Sequence, residues 1–108
     1  MVNKPREKTE QEVRNEFLDY IRSLVDYCEQ QSDRNLREKL ELLAFSILVG
    51  IDGNAGGLPA FILAPYGHKE DKEYHISNGN NFYAENHNSD IKCDIAGSMH
   101  DEFYNPVK

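Results

Sequence analysis

The stretch Leu36-Arg37-Glu38-Lys39-Leu40-Glu41-Leu42-Leu43-Ala44-Phe45-Ser46-Ile47-Leu48-Val49-Gly50 decides the fold. Leu36, Leu40, Leu43 and Ile47 recur at spacings of 4, 3 and 4, the period of one helix face. From Leu42 onward the apolar residues no longer keep to one side, because Leu42, Ala44, Phe45, Leu48 and Val49 fill the remaining positions. A helix that is apolar all round has to be covered on several sides. The sequence therefore predicts a helix over 34–51 that one neighbour cannot bury. Its other cover has to come from the C-terminal half, from a second copy of the chain, or from both.

On the N-terminal side, Thr9-Glu10-Gln11-Glu12 fits a capping box, with the Thr9 hydroxyl and the Glu12 carboxylate each serving the other's amide. Val13, Phe17, Ile21, Leu24 and Cys28 follow at spacings of 4, 4, 3 and 4, widened by Tyr20 and Val25, while charged residues occupy the opposite face. This pattern predicts an amphipathic helix over 9–31, preceded by a flexible terminus over 1–8. Gln30-Gln31-Ser32-Asp33 breaks the pattern, and Ser32 or Asp33 is the expected cap of the second helix. Beyond Gly50, the run Asp52-Gly53-Asn54-Ala55-Gly56-Gly57 supplies the conformational freedom of a helix end and a tight loop. Ala60 to Ala64, bounded by Pro59 and Pro65, reads as a short edge-like strand. A short helix is expected from Glu70 to Asn78, ended by Gly79, then a loop over 78–90. Asp90 or Asp94 is expected to cap a last helix carrying Ile91, Ile95, Met99 and Phe103 at every fourth position.

The fold class that follows is mainly α with a minor α+β part. It is a single domain over 9–108: a helical hairpin, then a loop-rich cover over 58–108 with a short strand and a terminal helix. Phe17, Ile21, Leu24, Leu43 and Ile47 are the expected core. A chain of 108 residues buries only about 65% of its unfolded surface. Together with the all-round apolar helix, this predicts a helix-mediated homodimer with a four-helix arrangement.

Charge narrows the partners. Twelve Lys and Arg face 19 Asp and Glu, for a formal charge of −7. Residues 1–36 sum to −2, 37–57 to −1 and 58–108 to −4, so no segment is basic. Binding to a nucleic-acid backbone, which rests on cations displacing counterions, is not expected. The acidity does not form a strip on helix 1 either, because Arg14 and Arg22 interrupt it, which disfavours a DNA mimic. The longest apolar run, Leu42 to Ile51, is far short of the about 20 residues of a membrane span. No secretory signal is visible, so a cytoplasmic location is expected. Two cysteines, Cys28 and Cys93, allow one bridge at most and no disulfide scaffold.

Four constellations bear on chemistry. His68, Asp71 and His75 are metal-ligand types at helical spacing, with His87-Asp90 or His100-Asp101 as a further donor, but no strong metal signature is present. The expectation is no cofactor and no metal. Neither cysteine and no serine has the surroundings of a nucleophile, and Ser98 lacks a G-x-S-x-G elbow, so no catalytic residue is assigned. The glycine loop follows a helix and carries Asp52, a polarity that suits a cap or a cation and opposes a phosphate. Tyr66, His68, Lys72, Tyr74, His75, Asn81, Phe82 and Tyr83 are the candidate ligand-binding residues. Aromatic faces among carboxamides and a lysine suit a planar, polar, nucleotide-like ligand.

Several blocks resemble small uncharacterised proteins encoded by phages and prophages. They are Arg37-Glu38-Lys39-Leu40-Glu41 running into Leu43–Val49 and Asp52-Gly53, then Leu58-Pro59 with Phe61 and the Pro65–His68 element. Asp71-Lys72 with Tyr74-His75, Asn81-Phe82-Tyr83, and Asp94–His100 with Phe103-Tyr104 continue the resemblance. It covers roughly residues 34–104 and implies a mobile-element setting, without a mechanism. Three functions are carried forward. The leading one is a non-enzymatic accessory protein that occupies or blocks a host component, including a component of host defence. The second sequesters a small polar ligand around residues 66–83. The third is a metal-dependent enzyme using His68, Asp71 and His75.

Overall fold

The computed structural model describes residues 5–85 and 90–106. Four helices follow in order: α1 (Glu10–Glu29), α2 (Leu36–Ile51), α3 (Lys69–Ser77) and α4 (Met99–Tyr104). The protein is mainly helical, as its periodicity predicts.

Helix α1 starts where the capping box places it. Thr9 Oγ1 accepts from the Glu12 amide at 3.1 Å, and Glu12 Oε1 accepts from the Thr9 amide at 3.0 Å. Arg6 and Lys8, inside the expected flexible terminus, reach Glu12 and Glu16 at 2.7 Å each; residues 1–4 lie outside the described residues. Helix α2 is capped by Asn35, which corrects the expectation of Ser32 or Asp33. The reason is reciprocity. Asn35 has Glu38 three residues on, and the two exchange bonds of 2.9 and 3.1 Å, which neither Ser32 nor Asp33 can do.

α1 and α2 pack against each other, and α4 packs on another side of α2. The Tyr20 hydroxyl donates to the Ser46 carbonyl at 2.6 Å, and Gly50 lies under the same ring. A Cβ at Gly50 would fall 2.5 Å from Tyr20 Cε2, so the small residue sets how closely the helices approach. Phe17 meets Phe61 edge-on at 5.1 Å, and the Phe61 amide donates to the Ile51 carbonyl, which folds the 58–61 segment back over the hairpin. Gly53 permits that return: its φ is +88°, and Ala60 Cβ lies 2.6 Å from where its own Cβ would sit.

Two expectations fail in the C-terminal half. The segment between Pro59 and Pro65 is extended but joins no ladder. The described residues pair Gly67 with Glu85 in an isolated parallel bridge. Leu63 meets the chain opposite through one backbone bond from the Ile95 amide, plus Asp94 Oδ1 accepting from its own amide. The last helix begins at Met99, not near Asp90 or Asp94. Cys93 (φ +58°) and Gly97 (φ +123°) stand in left-handed conformations that a right-handed helix cannot contain. Asp94 spends its carboxylate on the Leu63 and Ala96 amides instead. α3 matches its expected span within one residue.

The expected core is also more open than predicted. Phe17, Ile21, Leu24, Leu43 and Ile47 are half-buried, and Cys28 is the buried hydrophobic residue, at 4% exposure. The molecule is a slab of 51 × 50 × 19 Å with a radius of gyration of 18.2 Å. A closed domain of this length would have about 13 Å.

Candidate functional site

The most organised polar cluster joins the end of α2 to the start of α4. Asp52 caps α2, and its amide donates to the Leu48 carbonyl at 2.9 Å. Its side chain is fully buried and accepts three bonds: from the Gly97 amide (2.6 Å), the His100 amide (2.8 Å) and His100 Nδ1 (2.6 Å). Burial is the largest single influence and pushes the carboxyl upward. The His100 amide, the His100 imidazole and the Gly97 amide together outweigh it, so Asp52 titrates below the usual carboxylate range.

His100 is 13% exposed at its side chain, with Phe45 edge-on at 5.9 Å. Its Nε2 lies 3.2 Å from Asn54 Nδ2 and 3.4 Å from Asp101 Oδ1. A carboxylate can only accept, so His100 Nδ1–H donates to Asp52, while Nε2 is held between Asn54 and Asp101. An Asp–His pair of this kind can orient a general base, but here the outer nitrogen Nε2 is already flanked by Asn54 and Asp101. The arrangement therefore works as a clamp that ties α4 and the 97–100 turn to the end of α2. Sequence reading placed Asp52 in a cap and His100 beside Asp101, and missed that they meet. Some 48 residues separate them, and no local pattern encodes that pairing.

The candidate ligand residues around α3 are brought together in part. Tyr66 and His68 stack edge-on at 4.5 Å, Tyr74 and His75 at 5.5 Å, and His75 and Tyr83 at 6.2 Å. Lys72 Nζ stands 5.1 Å over the Phe82 ring, which joins α3 to the chain beyond it. The His75 Nδ1 atom is buried with no hydrogen-bond partner. Asn81 lies on the exposed surface, as do Tyr66, Tyr74, Phe82 and Tyr83, so the rings form an open aromatic face. His68, Asp71 and His75 do not converge: no group of three or more His, Cys, Asp or Glu that could hold a metal ion occurs among the described residues. His87, the other considered donor, lies outside the described residues. Cys28 and Cys93 are both free.

Apolar surface is the remaining feature. One groove of about 260 Å³ opens between α1 and α2, lined by Val25, Cys28, Leu36, Leu40 and Leu43. A second, of about 410 Å³, lies among Leu63, Ala64, Pro65, Tyr83, Cys93 and Ile95. No helix among the described residues is long and apolar enough to cross a membrane, so this surface does not form a span. No protein-family model matches the chain, and no curated protein or solved structure matches it.

Proposed function

We propose that the chain is a non-enzymatic accessory protein of phage type that works in the host cytosol as a homodimer and acts by occupying a host component. The observation that carries this reading is surface. One chain exposes 8760 Å², whereas a closed monomer of 12.4 kDa exposes about 6,100 Å². The excess of about 2,600 Å² is on the scale that each partner gives up in an obligate interface. Apolar side chains contribute to it: Leu36 is 73% exposed, Ile62 64% and Leu40 56%. Leu36 and Leu40 stand with Val25 along one groove, and exposed apolar surface of this kind usually serves protein–protein contact.

Sedimentation equilibrium at micromolar concentration tests the reading: the expected mass is twice 12.4 kDa, and a stable monomer overturns it. The host component is then sought with the dimer as bait, and has to bind again in purified form. A second reading, capture of a small polar ligand, is favoured by one observation, the lysine–aromatic face formed by Lys72, Phe82, His75 and Tyr83. It predicts a thermal shift with nucleotide-like compounds that Phe82→Ala abolishes; no shift across such compounds removes it.

A further inference from the structure

We propose that the second copy of the chain docks on the groove between α1 and α2, with Leu36 and Leu40 entering the partner's equivalent surface. The inference rests on the homodimer reading and names the face that the reading leaves open. Three observations select this face.

The first is which sides of α2 are already covered. α1 occupies one side through Tyr20, and α4 occupies another through Tyr104 and His100, whose rings lie 5.5 and 5.9 Å from Phe45. Along the first two turns α4 borders Arg37 and Glu41, and the side toward Val25 and Cys28 of α1 stays an open groove. There Leu36 and Leu40 stand exposed beside Val25, which is 48% exposed, over a floor made by buried Cys28. The predicted stripe of α2 is thus half used within the chain.

The second is charge. A two-fold interface brings identical surfaces together, so any net charge on the face is doubled and opposes assembly. The lining of the groove carries one cation and one carboxylate, Lys39 and Glu29, and so no net charge, and a two-fold arrangement can set each lysine toward the other copy's carboxylate. Arg37 bonds Glu41 at 2.6 Å, and Lys39 bonds the Glu29 carbonyl at 2.9 Å. The competing groove is lined by Leu63, Ala64, Pro65, Tyr83, Cys93 and Ile95 and offers no charged side chain to pair across a two-fold axis. Charge pairing between like copies is thus available on the hairpin.

The third is area. An interface built on this groove removes apolar surface from a slab 19 Å thick and turns two hairpins into four packed helices. This is the change that the excess accessible area and the half-buried stripe call for.

The test compares the wild-type chain with Leu36→Glu/Leu40→Glu, Leu36→Lys/Leu40→Lys and Ile62→Glu by sedimentation and far-UV circular dichroism. Both Leu positions are exposed in one chain, and Leu36 is the first helical residue, where a carboxylate favours the helix. The acidic variant is expected to weaken the dimer about 100-fold or more. Ile62→Glu is expected to leave it unchanged. Mixing the acidic and basic variants should restore a heterodimer, whether the separate variants remain folded or lose helix on dissociation. A dimer that survives in the acidic variant overturns the assignment of the face, as does failure of mixing to restore assembly. A wild-type monomer overturns the homodimer reading itself.

Discussion

In the helical hairpin the polar bonds are short-range. Thr9 pairs with Glu12, Asn35 with Glu38 and Arg37 with Glu41, each within four residues, and the longest link is Tyr20 to Ser46. In the C-terminal half the bonds that hold the chain span 31 to 48 residues, running from Asp94 to Leu63 and from Asp52 to Gly97 and His100. Local bonds start and stop helices but do not say where the helices go. Long-range bonds fix placement without building regular elements. The hairpin is therefore well formed and poorly covered, while the C-terminal half is irregular and depends on a few polar anchors.

The largest expected effect tests that dependence. Asp52→Ala removes the acceptor of three bonds at once and leaves the His100 imidazole without its partner. The loss is about 3 kcal/mol, on the order expected when a buried carboxylate is removed and the donors of its charge-assisted bonds are left unpaired. Hydrogen exchange should show the amides of 97–104 opening together while α1 and most of α2 remain protected. Equal loss of protection in α1 would mean that the two regions are one cooperative unit. Acid tests the same anchor. Because the folded pKa of Asp52 lies below its ordinary 3.8, its contribution is complete above that value and disappears as pH falls through the lower, folded value. Asp52→Asn should flatten the acid limb of a stability–pH curve below pH 3.8. A curve identical to wild type would deny Asp52 this role.

A smaller effect is expected where the hairpin itself is tight. In Gly50→Ala the new methyl meets Tyr20 Cε2 at 2.5 Å and the hydroxyl at 3.2 Å, and the ring is tethered by its bond to Ser46. Separating α1 from α2 should cost about 2 kcal/mol in urea unfolding, within the usual range for overpacking. Adding Tyr20→Phe frees the ring from Ser46, so the two changes should be clearly non-additive. Simple additivity would mean that Tyr20 does not set the spacing of the helices.

The same division explains what could be read from the residues. α1 and its cap were legible because Thr9-to-Glu12 and the Val13–Cys28 stripe are local signals, and α2 was legible for the same reason except at its cap. Asn35 was overlooked although its partner Glu38 stands at capping-box spacing. The last helix was overextended because the fourfold recurrence of Ile91, Ile95, Met99 and Phe103 competes with left-handed turns at Cys93 and Gly97. Those turns depend on contacts made by Asp94 and Asp52 elsewhere in the fold. The Asp52–His100 clamp was illegible because neither residue carries a local sign of the other. The eight candidate ligand residues share one sequence neighbourhood, yet several of their rings lie open on the surface, since adjacency along a loop does not produce a cavity.

The smallest effects belong to the helix caps, and they sharpen the contrast most directly. Thr9→Ala and Asn35→Ala each remove one side-chain acceptor from a first-turn amide, a change that typically costs about 1 kcal/mol. The two should nevertheless differ. Thr9 begins a helix whose first turn meets solvent, so its loss should fray the Glu10–Val13 turn and leave assembly untouched. Asn35 sits directly before Leu36, and a frayed first turn there displaces a side chain of the proposed dimer face. Asn35→Ala should therefore weaken the dimer as well as the helix, whereas Thr9→Ala lowers helix content alone. Sedimentation of the two variants beside their circular dichroism separates these outcomes. Equal dimer affinities would show that the start of α2 takes no part in assembly, and the hairpin's open face would then need another occupant.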